Sequence, residues 1–513
     1  MGAALDQNRQ FSYRRRQPER TLLYQTFARS LESWLAERHA DTEKTSLPAF
    51  GEKELRAFLR CGILPYGLIL VDCKACPNVD LVVGLSCKFR GFCPSCGAKR
   101  QAEVTAHLLD NVLPHTAFRQ WVTTFPYQLR YWMATNRKLN SQVHKIVAGV
   151  ITAYYERRAA HRGIAAARGG GVTFMQRFGS ALNLNLHYHS LFIEGVFSTA
   201  GDKPSYFQLK GPSDDDVAET VHEIADKVIS LLRRRKYLPK AGEDAVECEK
   251  AVPMDSFFSA SEQLAEAAEA SNTMHIAFGP RAGQPVRRIG KTFGMVGDQP
   301  LVKGRQCALV HGFTLHAARY IGLRERSKLE ELVAYGARPA FAHRRLALKN
   351  PESREGDLVY TLKTAWKDGT TAIVLSHSEL FEKLVSLIPQ PYSHQTRYFG
   401  VLSSHSRWRR AIVLKPHIKK GFVAASGGTT PEKMTWAKLL KRTYKIDITR
   451  CPTCKLRIYP DSIQLVVQEA EIRLVLLMLE LDPNPPPIRP PGTMPRDDDD
   501  EAYFSQEIAY DDD

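Results

Sequence analysis

The stretch that decides the fold runs from Leu182 to His189 and reads LNLNLHYH. Its alternation is strict. Leu182, Leu184, Leu186 and Tyr188 fall on one side, and Asn183, Asn185, His187 and His189 on the other. A period of two is the mark of a β-strand with one face on a core. The polar face ends in two imidazoles at i and i+2, projecting from the same side. Neutral imidazole is a common metal ligand, so this pair can hold one divalent cation between its rings. A solvated strand face usually carries Lys, Glu or Thr, whereas this one carries no charge.

Working outward, Val172–Phe178 reads as a preceding strand, with a turn at Gly179–Ser180. A hairpin of the two strands places Gln176 near the histidines, where its amide oxygen can complete a metal shell. Gln120–Phe125 and Gly312–Ala317 read as further strands, the latter carrying His316 as a second candidate for that ligand. Ser327–Ala337 has helical periodicity, with Leu329, Leu332, Val333 and Gly336 on its inner face. Tyr335 sits roughly 100° from the centre of that stripe, on a flank that can reach a cleft. Pro339 ends the helix and pushes Arg338 out of the α region.

The 513 residues leave room for two to four domains. Net charge is +16, and nine acidic groups lie in the last 17 residues, so the rest carries +25. So basic a body suits a polyanionic partner, above all nucleic acid. The N-terminus is polar and Arg-rich, and no run of about 18 apolar residues occurs. Neither a signal peptide nor a membrane span is therefore expected, and the cytoplasm is the expected compartment. The ten cysteines include three CxxC-type pairs, which suit metal binding in a reducing compartment better than disulfides.

Cys73-x2-Cys76 and Cys93-x2-Cys96, sixteen residues apart, fit a four-thiolate structural Zn2+ site. On this reading Cys61 and Cys87 are spare buried residues, and Cys451-x2-Cys454 is a lone knuckle with no downstream pair. Lys88, Arg90, Lys99 and Arg100 surround the site with Phe89 and Phe92 between them, a mixture suited to phosphate contact and base stacking. Arg287 and Arg288 sit in a basic Gly/Pro loop with Arg281 and Lys291, a second candidate DNA contact.

The expected organisation is a flexible basic arm at 1–20 and a helical, zinc-binding domain at 21–115. A catalytic domain at 116–198 and 311–410 is split by a mostly helical insertion at 199–310. In that insertion Ser213 can cap a helix whose first turn is Asp214–Asp216 and whose last carries Arg233–Arg235. A C-terminal region at 411–482 carries the lone CxxC and an apolar helix at 462–481. Residues 483–513 read as a disordered Pro-rich and acidic tail.

CGILPYG, CKACPN and SCKFRGFCPSCGAKR resemble the N-terminal zinc module of rolling-circle transposases of the insertion sequence 91 type. QRFGSALNLNLHYHSLFIEGVF resembles their HUH motif, and GFTLHAARY with LEELVAYGARPAFAHRRL their tyrosine segment. LKTAWKDGTTAIV and RYFGVLSSHSRWR resemble later blocks, so the likeness runs in order over about residues 45–460. The resemblance implies an α+β fold: a central antiparallel sheet of HUH endonuclease type flanked by helices, with a zinc-ribbon-like module. It implies Mg2+ or Mn2+ on His187 and His189, and Tyr335 as the nucleophile on single-stranded DNA at element termini. A free phenol has a pKa of about 10, so the metal or Arg338 must supply a neighbouring positive charge. Founding members carry two tyrosines four residues apart on this helix. Here the earlier position is Glu331, as in the single-tyrosine branch of common-region elements. Tyr398 is the reserve nucleophile. Two other classes compete: a zinc-dependent DNA-binding protein with an inactive nuclease domain, and a rolling-circle replication initiator.

Overall fold

The computed structural model describes residues 15–76, 79–201, 203–239, 254–290, 304–351, 356–413, 436–444, 447–451 and 454–492. Within them the fold is mixed α+β, and every strand pairing is antiparallel. The basic arm falls largely outside these residues, as does Lys291.

The histidine strand is Leu184–Ile193. It lies inside a six-stranded sheet, in the order Cys307–Val310, Phe313–Ile321, Phe118–Thr124, the histidine strand, Gly170–Phe178 and Thr396–Gly400. The register sets Gln176 opposite His187, and Phe174 opposite His189.

Leu184, Leu186 and Tyr188 are fully buried, as the alternation requires. Leu186 and Tyr188 face the core shared by the helix Arg137–His161 and the capped helix Asp214–Arg234, whose Ser213 closes a full capping box, while Leu184 joins the N-terminal core. The opposite face departs from expectation. It is no solvated surface, because the helices Pro94–Asn111 (the zinc helix) and Arg326–Gly336 (the tyrosine helix) cover it. The sheet is buried on both sides.

Residues 199–310 are woven through the molecule. They supply the edge strand Cys307–Val310 and a helix, Glu262–Thr273, packed into the N-terminal core. They also give the strand Arg287–Ile289 to a second sheet with Leu346–Leu348, Leu358–Thr361 and Ala372–Leu375. The apolar run expected as one helix at 462–481 divides. Ile463–Val466 is a strand paired with Leu68–Asp72, and only Glu469–Met478 is helical. The start of the Pro-rich tail is docked: Arg489 N–H donates to Ala28 O on the first long helix, Leu22–Ala40 (2.8 Å). Among the described residues no helix is long and apolar enough to cross a membrane.

Tyr188, between the two histidines, anchors the strand. Its ring packs edge-on against Phe125 at 4.9 Å and lies 5.7 Å from His144. Its hydroxyl donates to Asn140, on the helix behind the sheet. Tyr188→Phe should lower the unfolding free energy by about 1 kcal/mol through the lost hydrogen bond. Tyr188→Ala should cost roughly 3–5 kcal/mol through the cavity. Urea unfolding of the two variants separates these outcomes, and equal losses would remove Tyr188 from this role.

Candidate active site and metal centres

The two imidazoles converge. His187 Nε2 lies 3.1 Å from His189 Nε2, and the rings meet at 70°. His187 Nδ1–H donates to Asn185 O (2.8 Å), which leaves its Nε2 lone pair facing the partner ring. His189 Nδ1 lies 3.0 Å from the amide of Gln120. The atom facing it is Gln120 Nε2, which donates, so Nδ1 accepts and the His189 proton sits on Nε2, towards His187 Nε2. A cation between the two Nε2 atoms requires the Gln120 amide to turn its oxygen to Nδ1. Burial pushes His187 down to about 4 and His189 to about 3, and Arg338 adds to both shifts. Both rings are therefore neutral near pH 7, the form that binds a cation.

The tyrosine helix closes over this pair. Tyr335 meets the His189 ring edge to face, with centroids 5.5 Å apart and planes at 88°. Two features hold the helix end there. Gly336 approaches Phe174 so closely that a Cβ would lie 2.5 Å from that ring. The Gln176 amide nitrogen donates to Tyr335 O and to Gly336 O, each at 3.0 Å. Donation to two carbonyls fixes the amide's orientation, and its Oε1 is left buried with no hydrogen-bond partner. Asn185 Oδ1 is orphaned in the same way. Buried unpaired amide oxygens beside two imidazoles suit a hard divalent cation such as Mg2+ or Mn2+. His316 shares the row of His189 but lies two strands away, beyond Val122.

Two cations flank the phenol. The Arg338 guanidinium stacks 4.4 Å from the Tyr335 ring centre, and its Nε is buried without a partner. Lys363 Nζ stands 5.0 Å from the same centre. Sequence reading missed Lys363; its only signal was its place in the LKTAW block. Tyr398, by contrast, is half-buried at the sheet edge beneath Arg409, and burial raises its phenol.

The cysteines do not form the expected site. Cys73, Cys76, Cys93 and Cys96 divide between two clusters, one completed by Cys61 and Cys87, which were read as spare, and the other by Cys451 and Cys454, read as a lone knuckle. Cys93 and Cys96, at the start of the zinc helix, join Cys61 and Cys87, with Sγ separations of 3.4–3.7 Å. Hydrogen bonds from Cys87, Cys93 and Cys96 hold the Cys61 thiol well below its ordinary range. A tetrahedron with Zn–S near 2.3 Å has edges of about 3.8 Å, so four thiolates here fit structural Zn2+. Cys73 and Cys76 join Cys451 and Cys454 instead. Knuckle spacing announces Cys73–Cys76, Cys93–Cys96 and Cys451–Cys454, but Cys61 and Cys87 are no knuckle, and only the tertiary fold brings them to Cys93 and Cys96.

The zinc helix runs antiparallel to the tyrosine helix and is fastened to it along its length. Gln101 Nε2 donates to Ala334 O (2.8 Å), and Arg326 donates to Leu109 O and Leu113 O (2.5 and 3.0 Å). Gly97 lies so near Pro339 that a Cβ would come within 2.4 Å.

The expected DNA-contacting arginines are mostly engaged. Arg287 makes a bidentate pair with Asp357 (2.6 and 2.5 Å), and Arg288 pairs with Asp368 (3.2 Å) while stacking on Trp366. Their segment is a strand, and its charge is neutralised by carboxylates about 70–80 residues downstream. Arg90 donates to Ser393 O and Gln390 O, and Arg100 caps Lys88 O and Phe89 O. Lys88 is exposed and Lys99 half-buried.

Acid should loosen this core. Burial also holds His144 at about 3. The unfolded chain, with histidines near 6.5, binds more protons, so this stability is full above about pH 6.5 and is lost as pH falls toward the folded values. His144→Phe keeps the ring contacts and removes one such group. At pH 5 the metal-free variant should recover on the order of 2 kcal/mol relative to its standing at pH 8. Thermal melts across that range test this; an undiminished acid sensitivity would contradict it.

Two family models match the chain. One, described as "Transposase zinc-binding domain", covers residues 29–125, and the other, described as "Putative transposase", covers 170–410. No curated protein and no solved structure matches. The zinc module, the histidine sheet and the tyrosine helix all lie within the matched segments, and the chain belongs to the transposase family of the insertion sequence 91 type.

Proposed function

We propose that the chain is an HUH-type endonuclease and strand transferase. It nicks single-stranded DNA at an element end and carries the strand on Tyr335 as a 5′-phosphotyrosine, for rolling-circle transposition. The edge contact of Tyr335 with His189, beside the paired Nε2 atoms, carries this reading. His187, His189 and the orphaned oxygen of Gln176 would hold Mg2+ or Mn2+, with Asn185 beside them. A divalent ion there withdraws charge from the scissile phosphate as a Lewis acid.

The chain's own residues do the rest. The Tyr335 oxygen attacks phosphorus and gives up its proton as the new P–O bond forms. The bond from phosphorus to the 3′-oxygen breaks, and the departing oxygen takes up a proton to become a free 3′-hydroxyl. Arg338, with its unpaired buried Nε, and Lys363 place positive charge against the phosphate as its charge redistributes. The tyrosine ester keeps a phosphodiester-level bond, so rejoining to a second hydroxyl needs no ATP. Glu331 is exposed one turn before Tyr335, so this helix offers one nucleophile, as in the single-tyrosine branch. Lys88 and Lys99 remain for backbone phosphates, within a body strongly positive overall.

Purified chain with Mn2+ and a single-stranded oligonucleotide from its element's terminus should form a covalent adduct stable to denaturant. Tyr335→Phe should abolish it, by at least about 1,000-fold, with DNA affinity retained. Lys363→Gln should slow it roughly 10- to 100-fold. An adduct that persists in Tyr335→Phe would move the nucleophile elsewhere. No adduct from the wild-type chain would leave a DNA-binding protein.

A further inference from the structure

The second cysteine cluster reaches beyond both family models: Cys73 and Cys76 fall within 29–125, but Cys451 and Cys454 lie past residue 410. We propose that this chain carries two zinc ions, and that the second is a clasp joining Cys73 and Cys76 to Cys451 and Cys454.

The geometry is that of a closed tetrathiolate site. Cys73 Sγ lies 3.5 Å from Cys454 Sγ, and Cys76 Sγ 3.9 Å from Cys451 Sγ. All four sulfurs fall within 4.8 Å of one another, bracketing the edge of about 3.8 Å that a zinc tetrahedron requires. All four are free thiols. Each pair sits on its own tight turn. Cys76 N–H donates to Cys73 O (3.0 Å), directly after the strand Leu68–Asp72. Cys454 N–H points at Cys451 Sγ (3.5 Å), an amide of the kind that supports a thiolate charge. Arg450 and Arg457 bridge as strand partners around this second turn.

The surroundings are built for the cluster. Val71, Leu81, Ile448 and Ile458 pack around Cys73 and Cys451 as a separate small core. The neighbouring strand Ile463–Val466 pairs with Leu68–Asp72, so backbone and sulfur fasten the same two segments. Four thiolates leave no open position, so the site is structural rather than catalytic.

The clasp also bears on the tyrosine helix. The helix Trp436–Tyr444, just before Cys451, lays Leu439 against Ala102 and Ala106 of the zinc helix. Its Arg442 pairs with Asp110 of that helix and reaches Glu330 of the tyrosine helix (3.9 Å). Zinc at Cys451 and Cys454 therefore holds a C-terminal brace against the element that carries Tyr335.

The test is metal content of the full chain, purified under reducing conditions and freed of loosely bound metal. Mass spectrometry of the metal should find two zinc per wild-type chain. Cys451→Ser with Cys454→Ser should leave one, and Cys73→Ser with Cys76→Ser should also leave one. In both double variants trypsin should cut faster within residues 438–457. One zinc in the wild-type chain, or two retained in either double variant, would overturn the proposal. Should a variant aggregate, thiol titration of the wild-type chain decides alone. Eight zinc-protected thiols are expected, and four, or four oxidised as disulfides, would refute the clasp.

Discussion

The amide of Gln176 is the joint on which the candidate site depends. Its two hydrogen bonds to the last carbonyls of the tyrosine helix tie that helix to the strand beside the histidines. A helix end has four carbonyls without intrahelical partners, and supplying donors from the sheet both satisfies them and fixes the helix's position. The same residue then presents its other polar atom, unpaired, to the buried space. A hydrophobic residue at this position could neither hold the helix end nor offer an oxygen.

The zinc module is structural support for this arrangement. Cys93 and Cys96 fix the start of the zinc helix, and that helix grips the tyrosine helix at both ends, through Gln101 and Arg326. Metal loss would therefore be felt at Tyr335, beyond any direct contact of the module with DNA. Two arginines point the same way. Arg326 and Arg90 spend their donors on backbone carbonyls and pin segments that are far apart in sequence.

What was legible in the sequence was local. Alternation gave the histidine strand, and the turn at 179–180 gave the hairpin that pairs Gln176 with His187. The tyrosine helix begins and ends within a residue of its periodic pattern, with the four expected residues facing inward. Ser213 caps the helix its sequence announces. The failures were all long-range. A CxxC pair announces a ligand pair but carries no information about which other pair completes it, and here the partners lie up to 381 residues away. Arg287 and Arg288 read as free charge because Asp357 and Asp368 are remote. Ile463–Val466 read as helix because its apolar run continues into a true helix, and only Leu68–Asp72 reveals a strand. The resemblance carried the transposase family, which periodicity could not.

Pairing Leu68–Asp72 with Ile463–Val466 has a consequence for biosynthesis. At roughly 5–20 residues per second, a ribosome needs on the order of 20–80 s to deliver the second strand after the first. Throughout that interval the nascent chain displays an apolar β-edge and an unmated pair of thiols, the features that chaperones and metal-handling machinery recognise. Maturation of this chain is thus paced by translation of its own far end.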